Sequence, residues 1–454
     1  MQLPKQLIKS LEGIEGFDRD SFEGVHRSPD PITSVRINPA KFPKTEASFP
    51  LEEKIPWADS GYYLSKRPSF TFDPLFHAGC YYVQEASSMF LEQILTQTAD
   101  LSKALRVLDL SAAPGGKSTH IQSLISAGSL LVSNEVIRAR ANILRDNIVK
   151  WGCHNVVVTN NDPKAFARLE GYFDIIVLDA PCSGSGLFRR DGEAIKEWST
   201  NNVELCSQRQ QRILADVWPA LKKGGILIYA TCSFSREEDE EILDWVVRNL
   251  GGESRKIRTE ASWNITEVQS SAGAYGYRFW PNRVRGEGFF ISAFKKLQGN
   301  GKGTFHESRN RLECLNKNES AILAQWLKGS SFEFVKSGER VYAWHRDLMD
   351  AFMLVLEKLH VIYSGVLVGE MIRNKLVPDH ALALSGLLSD QVGSVSLSYD
   401  QAIQYLQKKD LKIEGLNIGW QVVMFKNKPL GWINVLSNRI NNYYPKGLRI
   451  LKER

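Results

Sequence analysis

The chain has 454 residues and an apolar content ample for real cores, which sets the expectation of two or three domains. A formal net charge of +6 fits a polyanion partner without demanding one, because charge speaks to partners rather than to fold. The six cysteines, Cys80, Cys153, Cys182, Cys206, Cys232 and Cys314, show no CxxC pair and no metal-ligand spacing, so cytosolic thiols and no metal are expected. The start, MQLPKQLIKSLEG, has no uninterrupted apolar core before a small-residue cleavage site, and no later run is long enough to cross a bilayer. The expectation is a cytoplasmic protein with no membrane partner.

Residues 1 to about 50 combine a short amphipathic helix, LPKQLIKSLEGI, with a Pro-rich connection and a strand-like piece, Ser34 to Asn38. The stretch from 56 to 90 is dense in aromatics: Trp57, Tyr62, Tyr63, Phe70, Phe72, Phe76, Tyr81 and Tyr82. With Lys66, Arg67 and His77 interleaved it suits a base-stacking surface, although packing against the next domain is the commoner outcome for such a stretch. From Gln84 to about Leu95 the pattern is helical, capped near Ser87 or Ser88.

A strict alternation follows. Arg106 to Leu110 reads as a first strand. The loop Ala112-Ala113-Pro114-Gly115-Gly116 removes side-chain bulk where a backbone passes close to a ligand, and Ser118-Thr119-His120 opens a helix whose free N–H groups suit a polar or anionic group. Further strands are expected at Ser129–Glu135, Asn155–Thr159, Phe173–Asp179 and Gly224–Ala230, with helices at Ile137–Lys150 and around Glu204–Lys222. Short β-branched strands alternating with helices imply parallel pairing in a doubly wound α/β sheet. Gly288–Phe294 would be a late strand closing the sheet edge. Residues 298–311 turn to Gly and polar residues and read as a linker. The expected division is therefore a small α+β leading domain over 1–90, an α/β domain over 91–297, the linker, and a C-terminal region over 312–454. At the end of that region Trp432, Tyr443 and Tyr444 mingle with Lys426, Lys428, Arg439, Lys446 and Arg449, a composition suited to single-stranded or loop RNA, or to a basic surface over a small β core.

In an open parallel sheet the ligand sits beyond the carboxyl ends of the strands. Those ends are unusually polar here. The first supplies the loop to Lys117. The second supplies Glu135, close to the roughly 20-residue offset after Asp109 at which an acid takes ribose hydroxyls. The third supplies Asp162, able to accept from an adenine amine. The fourth gives Asp179-Ala-Pro-Cys182 and the fifth Thr231-Cys232-Ser233. A single strand-end carboxylate is more often a helix cap, but three in succession favour an adenosine cofactor. Two thiols in loops at the same crevice imply covalent catalysis or redox exchange. Covalent catalysis suits a pyrimidine: C5 of cytosine is a poor nucleophile until a thiolate adds to C6. A second thiol can assist the final elimination, and residue chemistry alone leaves open which cysteine does which.

Leu108-Asp-Leu-Ser-Ala-Ala-Pro-Gly-Gly-Lys117, Asp179-Ala-Pro-Cys-Ser-Gly184 and Tyr229-Ala-Thr-Cys-Ser-Phe234 together resemble the Nop/Sun family of RNA cytosine-C5 methyltransferases. The leading segment Tyr62 to Ser88 and the tail pieces Pro429 to Trp432 and Tyr443 to Arg449 resemble its bacterial RsmF-type rRNA branch. The resemblance is strong over about 55–296 and weaker over the C-terminal third, where the family places a PUA-like RNA-binding module. It implies a Rossmann-like, mostly parallel seven-stranded sheet and S-adenosylmethionine as cofactor. Ser111, Ala112, Ala113, Pro114, Gly115, Gly116 and Lys117 would cradle the methionine end and ribose, Glu135 the ribose hydroxyls and Asp162 the adenine. Arg140 matches the family's arginine, and Asp179 would lie near the methionine amino group and the target base. By resemblance Cys232 is the nucleophile and Cys182 assists product release, whereas the Pro-Cys of DNA cytosine methyltransferases would favour Cys182. The partner implied is rRNA or an assembled small ribosomal subunit, met by a monomer, with large-subunit rRNA or tRNA as alternative substrates. Two readings of other classes compete: a nicotinamide-dependent oxidoreductase, which lacks its GxGxxG here, and a non-catalytic RNA-binding assembly factor, which would not need every site position filled.

Overall fold

The computed structural model describes residues 3–27, 32–42, 47–299, 313, 315–329 and 331–453. Two short helices, α1 (Lys5–Leu11) and α2 (Arg19–Arg27), lead into an antiparallel sheet of β1 (Thr33–Ile37), β2 (Gly61–Leu64) and β3 (Tyr81–Val83), with β1 in the centre. Between β2 and β3 lies the single turn α3 (Pro74–His77), capped by the Asp73 carboxylate, which accepts from the Leu75 N–H. The aromatics of this stretch go inward: Trp57, Tyr62, Tyr63, Phe70 and Tyr81 are buried, so packing is their role. The expected helix from Gln84 divides into a tight turn at Ser87–Phe90 and then α4 (Leu91–Thr98).

The central domain carries β4 (Arg106–Asp109), α5 (Gly116–Leu124), β5 (Leu130–Asn134), α6 (Arg138–Trp151), β6 (Val156–Thr159), β7 (Phe173–Asp179), α7 (Gly192–Glu197), α8 (Thr200–Val217), β8 (Leu221–Thr231) and α9 (Glu240–Trp245). It continues with β9 (Gly252–Ser254), β10 (Thr266–Gln269), β11 (Tyr275–Phe279) and β12 (Phe289–Lys296). Strands β8, β7, β4, β5 and β6 lie side by side in parallel. Successive residues alternate between two cores: Val107, Leu131 and Ile175 face one side, Leu108, Val132 and Ile176 the other. Burial on both faces is why these strands are continuous apolar runs. The chain winds outward from β4 to β6, then returns to β7 on the other side of β4. That reversal opens a crevice beyond the ends of β4 and β7.

The expected seven-strand core is present in the order β11-β12-β8-β7-β4-β5-β6, and the full sheet has ten strands. β12 does not close the edge as expected. It lies between β8 and β11, antiparallel to both, because nearly every residue from Phe289 to Lys296 is buried. β9 to β11 carry no clean signal in the sequence, because their short mixed segments, such as Thr266-Glu-Val-Gln269, lack a sustained apolar run. At the other edge β6 is covered by a strand from the C-terminal third.

That third contains β13 (Phe332–Ser337), β14 (Arg340–His345), β15 (Val361–Ser364), β16 (Val366–Ile372) and β17 (Lys375–Pro378). All but β15 form a four-stranded sheet; β15 pairs antiparallel with β6. A last four-stranded sheet comprises β18 (Ser394–Ser396), β19 (Gly419–Phe425), β20 (Lys428–Val435) and β21 (Ile440–Asn442), the PUA-like module. Of its aromatics Trp432 and Tyr444 are core residues, while Tyr443 is 41% exposed beside exposed Lys446 and Arg449. The linker expected at 298–311 lies outside the described residues from position 300 onward.

Candidate active site

At the switch point β4 ends in Asp109, which is fully buried. Its Oδ2 accepts from Ser118 Oγ at 2.7 Å and its Oδ1 has no hydrogen-bond partner among the described residues. Burial pushes this carboxyl up to about 7, outweighing the Ser118 bond. The glycine loop then turns through Gly115 at φ +115°, a left-handed conformation that favours glycine, and Gly115 caps α5. The helix therefore starts two residues before Ser118, and Ser118, Thr119 and His120 are buried instead of opening it. From α6, Arg140 Nη2 donates to Ala113 O at 2.9 Å and Asn147 Nδ2 to Pro114 O at 2.8 Å, so the loop is gripped from the side.

A cavity of about 370 Å³ opens over this loop. Of the residues expected at the site, Ser111, Ala112, Ala113, Pro114, Gly116, Lys117, Arg140, Asp179 and Cys232 line it; Gly115, Glu135, Asp162 and Cys182 lie outside its lining. Glu135 is 2% exposed. Its Oε1 accepts from Ile137 N at 2.9 Å, while Oε2 makes no hydrogen bond and has Arg140 Nη1 at 3.5 Å. Asp162 accepts from Lys164 N at 3.1 Å and caps the turn Pro163–Leu169. Asp162 thus takes the capping role that strand-end carboxylates commonly have, whereas Glu135 bonds the Ile137 N–H just ahead of α6 and keeps an oxygen in reserve.

The two cysteine loops converge. Cys182 Sγ and Cys232 Sγ are 3.1 Å apart although fifty positions separate them in the chain. Backbone cross-links fix the loops to each other: Gly186 N donates to Cys232 O at 2.8 Å and Phe234 N to Ser185 Oγ at 2.9 Å. The hydrogen bond with Cys232, together with burial, pushes the Cys182 thiol well above its ordinary range, so Cys182 holds its proton. Beside them Lys117 Nζ pairs with Asp179 Oδ2 at 2.8 Å. Burial opposes the charge on Lys117, but the Asp179 carboxylate outweighs it and the ammonium is retained. The described cysteines are all free, and no group of metal-ligating side chains occurs among the described residues.

Several residues here escaped the sequence reading. Tyr82, Gln84 and Glu85 bring the leading domain into the cavity wall. Glu287 lines it too, 2% exposed, 3.4 Å from Arg189 Nη1 and raised by burial to about 7. The available signal was a charged residue between two glycines, Gly286-Glu-Gly288, just before an apolar strand. Glu238 was hidden in the acidic run Arg236 to Glu241, which reads as a solvated face.

Three family models match the chain in order: the N-terminal domain of 16S rRNA methyltransferase RsmF over residues 3–86, 16S rRNA methyltransferase RsmB/F over 96–295, and the methyltransferase RsmF PUA domain over 392–450. The chain belongs to the RsmF-like Sun family. Relatives of this RsmF-like chain include the ribosomal RNA small subunit methyltransferase F of Vibrio cholerae serotype O1, 28% identical with 99% of this chain and 98% of the relative covered. The protein of the same name from Vibrio atlanticus is 27% identical over 98% and 97%. Among solved structures, a methyltransferase homolog protein from Pyrococcus horikoshii matches 65% of this chain and all of its own at a TM-score of 0.52 and 26% identity. NSun6 from the same organism, solved with SFG, shares the fold at a TM-score of 0.54 and 18% identity, covering 65% and 99%.

The cofactor of this RsmF-like methyltransferase is S-adenosylmethionine. The residues fit it: a buried carboxylate oxygen without a donor, Glu135 Oε2, matches the donor hydroxyls of a ribose, and the loop lining presents small side chains to the cavity.

Proposed function

We propose that the protein forms 5-methylcytosine in small-subunit rRNA through a covalent adduct between Cys232 and C6 of the target cytosine. One observation carries the reading: two thiols 3.1 Å apart beside the cofactor cavity. The names of the relatives, ribosomal RNA small subunit methyltransferase F, support the substrate class.

When bound, S-adenosylmethionine supplies an electrophilic methyl group. In this proposal Ser111 to Lys117 hold its methionine end and ribose, Glu135 Oε2 takes the ribose hydroxyls, and Asp162 reaches the adenine amine. Arg140 keeps the loop in place, and Asp179, steadied by Lys117, lies between the amino group and the base. Cys232 Sγ would give up its proton to solvent water and add to C6, the C5–C6 π electrons moving into the C4–N3 system, so that C5 could take the methyl group and the donor would leave as S-adenosylhomocysteine. Solvent water would then take the C5 proton, its electron pair would restore the C5–C6 double bond, and the C6–S bond would break with its electrons returning to Cys232 as a thiolate. Cys182, still protonated, donates its S–H to the departing sulfur. The protein acts as a monomer on rRNA or the assembled subunit, with residues 91–297 catalytic and the C-terminal module holding RNA.

Cys232→Ala is expected to lower methyl transfer by roughly 10³-fold or more. Cys182→Ala is expected to accumulate an SDS-stable protein–RNA adduct. Full turnover by Cys232→Ala would sink the assignment. Bisulfite sequencing of total RNA from a deletion strain locates the substrate: a cytosine lost from large-subunit rRNA or tRNA would replace the small-subunit reading.

A further inference from the structure

We propose that Glu238 is a positioning residue for the thiol pair, its carboxylate bridging the residue that follows each cysteine and so setting the distance between Cys182 and Cys232. Glu238 is fully buried. Its Oε1 accepts from Ser183 N at 2.8 Å and Gln210 Nε2 at 3.2 Å, and its Oε2 from Ser183 Oγ at 2.5 Å and Ser233 Oγ at 2.7 Å. Only a carboxylate offers two oxygens that accept from four donors while donating nothing itself. Ser183 follows Cys182, and Ser233 follows Cys232, so one side chain grips both loops next to the sulfurs.

The grip is itself anchored. Gln210, on α8, also donates to Pro181 O at 3.0 Å and accepts from Tyr229 Oη at 2.9 Å; Tyr229 further bonds the Glu238 carbonyl at 2.6 Å. The next residue, Asp239, is paired with buried Arg278 at 3.0 Å. Burying a carboxylate is costly unless its acceptors are filled, and here hydrogen bonds from the two loops and from Gln210 fill them. Without the carboxylate, Ser183 N loses its acceptor and Ser183 Oγ is left 3.5 Å from Ser233 Oγ, which is itself held by the Ser235 N–H at 3.0 Å. The links from Gly186 N and Phe234 N engage residues three or more beyond Cys182 and do not hold Ser183.

The consequence for catalysis rests on the covalent reading above; the positioning claim is tested without it. The sulfurs lie about 1 Å beyond a disulfide bond. Diamide oxidises such a pair: the two thiols lose two protons and two electrons, an S–S bond forms, and the diazene is reduced to the hydrazine. In the full-length protein, peptide mapping should show the Cys182–Cys232 disulfide closing at least tenfold more slowly in Glu238→Gln than in wild type. S-adenosylhomocysteine affinity should stay within twofold, because Glu238 does not line the cofactor cavity. In turnover the same variant should lower kcat with the KM for RNA unchanged and accumulate the adduct expected of Cys182→Ala. If Glu238→Gln does not fold, Ser183→Ala combined with Ser233→Ala removes both hydroxyl donors and carries the same expectation. A disulfide rate within twofold of wild type in a variant that still binds S-adenosylhomocysteine overturns the inference. A slowed disulfide together with methyl transfer surviving in Cys232→Ala would instead overturn the covalent reading and leave the positioning role standing.

Discussion

A carboxyl whose burial outweighs the cation near it changes its contribution to stability with pH, and Asp109, with Lys117 nearby, is such a group. Its folded value of about 7 lies above the ordinary 3.8 because burial disfavours the charged form. A raised folded value means that stability is fully present below pH 3.8 and is lost as pH rises through 7. Glutamine-like neutrality should remove the dependence: Asp109→Asn keeps an oxygen to accept from Ser118 and carries no charge. Urea unfolding at pH 4, 6 and 8 should find the variant more stable than wild type at pH 8, on the order of 1–3 kcal/mol, with the gap closing towards pH 4. A gap that does not change with pH would reject the argument. At this scale the sequence revealed the cysteines, because each follows a recognisable strand end. It could not reveal the 3.1 Å between them, nor that Glu238 in an acidic run turns inward to hold both loops. Residue type and spacing carry no record of which side of a short turn is buried.

Among elements, the join between β1 and α5 matters most to the site. Arg36, 1% exposed on β1, donates to Gln84 Oε1 at 2.8 Å, Thr119 Oγ1 at 2.6 Å and Gly116 O at 3.3 Å, and its guanidinium lies 4.5 Å from the Trp151 ring centroid. Burial lowers its pKa to about 9, the signature of a cation held by oxygen acceptors without a paired carboxylate bond. Because Gly116 opens the helix that follows the glycine loop, the leading domain fixes that loop directly. Arg36→Met should lower stability by about 2–4 kcal/mol and weaken S-adenosylhomocysteine binding at least fivefold, read by urea unfolding and calorimetric titration. Unchanged affinity alongside lowered stability would reduce β1 to packing alone. The strand itself was legible as the alternating Ser34 to Asn38. The partner of its arginine was not, since Gln84 and Thr119 are distant in the chain and neither forms part of a motif.

Across the whole molecule, the C-terminal third completes the catalytic sheet. β15 pairs with β6 through Val361–Thr159, Tyr363–Val158 and Ser364–Val157, and His360 exchanges hydrogen bonds with Asn160 and Asn161 at 3.0–3.1 Å. All four residues of β6 are buried beneath this cover. At the other end of the chain, Val35, Leu75 and Tyr81 of the leading domain share one core with Tyr405, Val423 and Tyr444 of the last module. The motifs lie within the central domain, so the sequence made it look self-contained, and nothing in a four-residue apolar strand says whether it is an edge. A chain ended at residue 297 would uncover both the β6 edge and the apolar face of the leading sheet. Unpaired apolar edges template association. Such a truncation should lose the monomer peak on size-exclusion chromatography with light scattering and pass into oligomers or aggregate, while the full chain under the same conditions stays discrete. A monodisperse truncated protein with full S-adenosylhomocysteine affinity would show that β15 is an ornament of the sheet. The expected aggregation would instead make the RNA-binding module a structural part of the enzyme, its orientation to the thiol pair set by a shared sheet and a shared core.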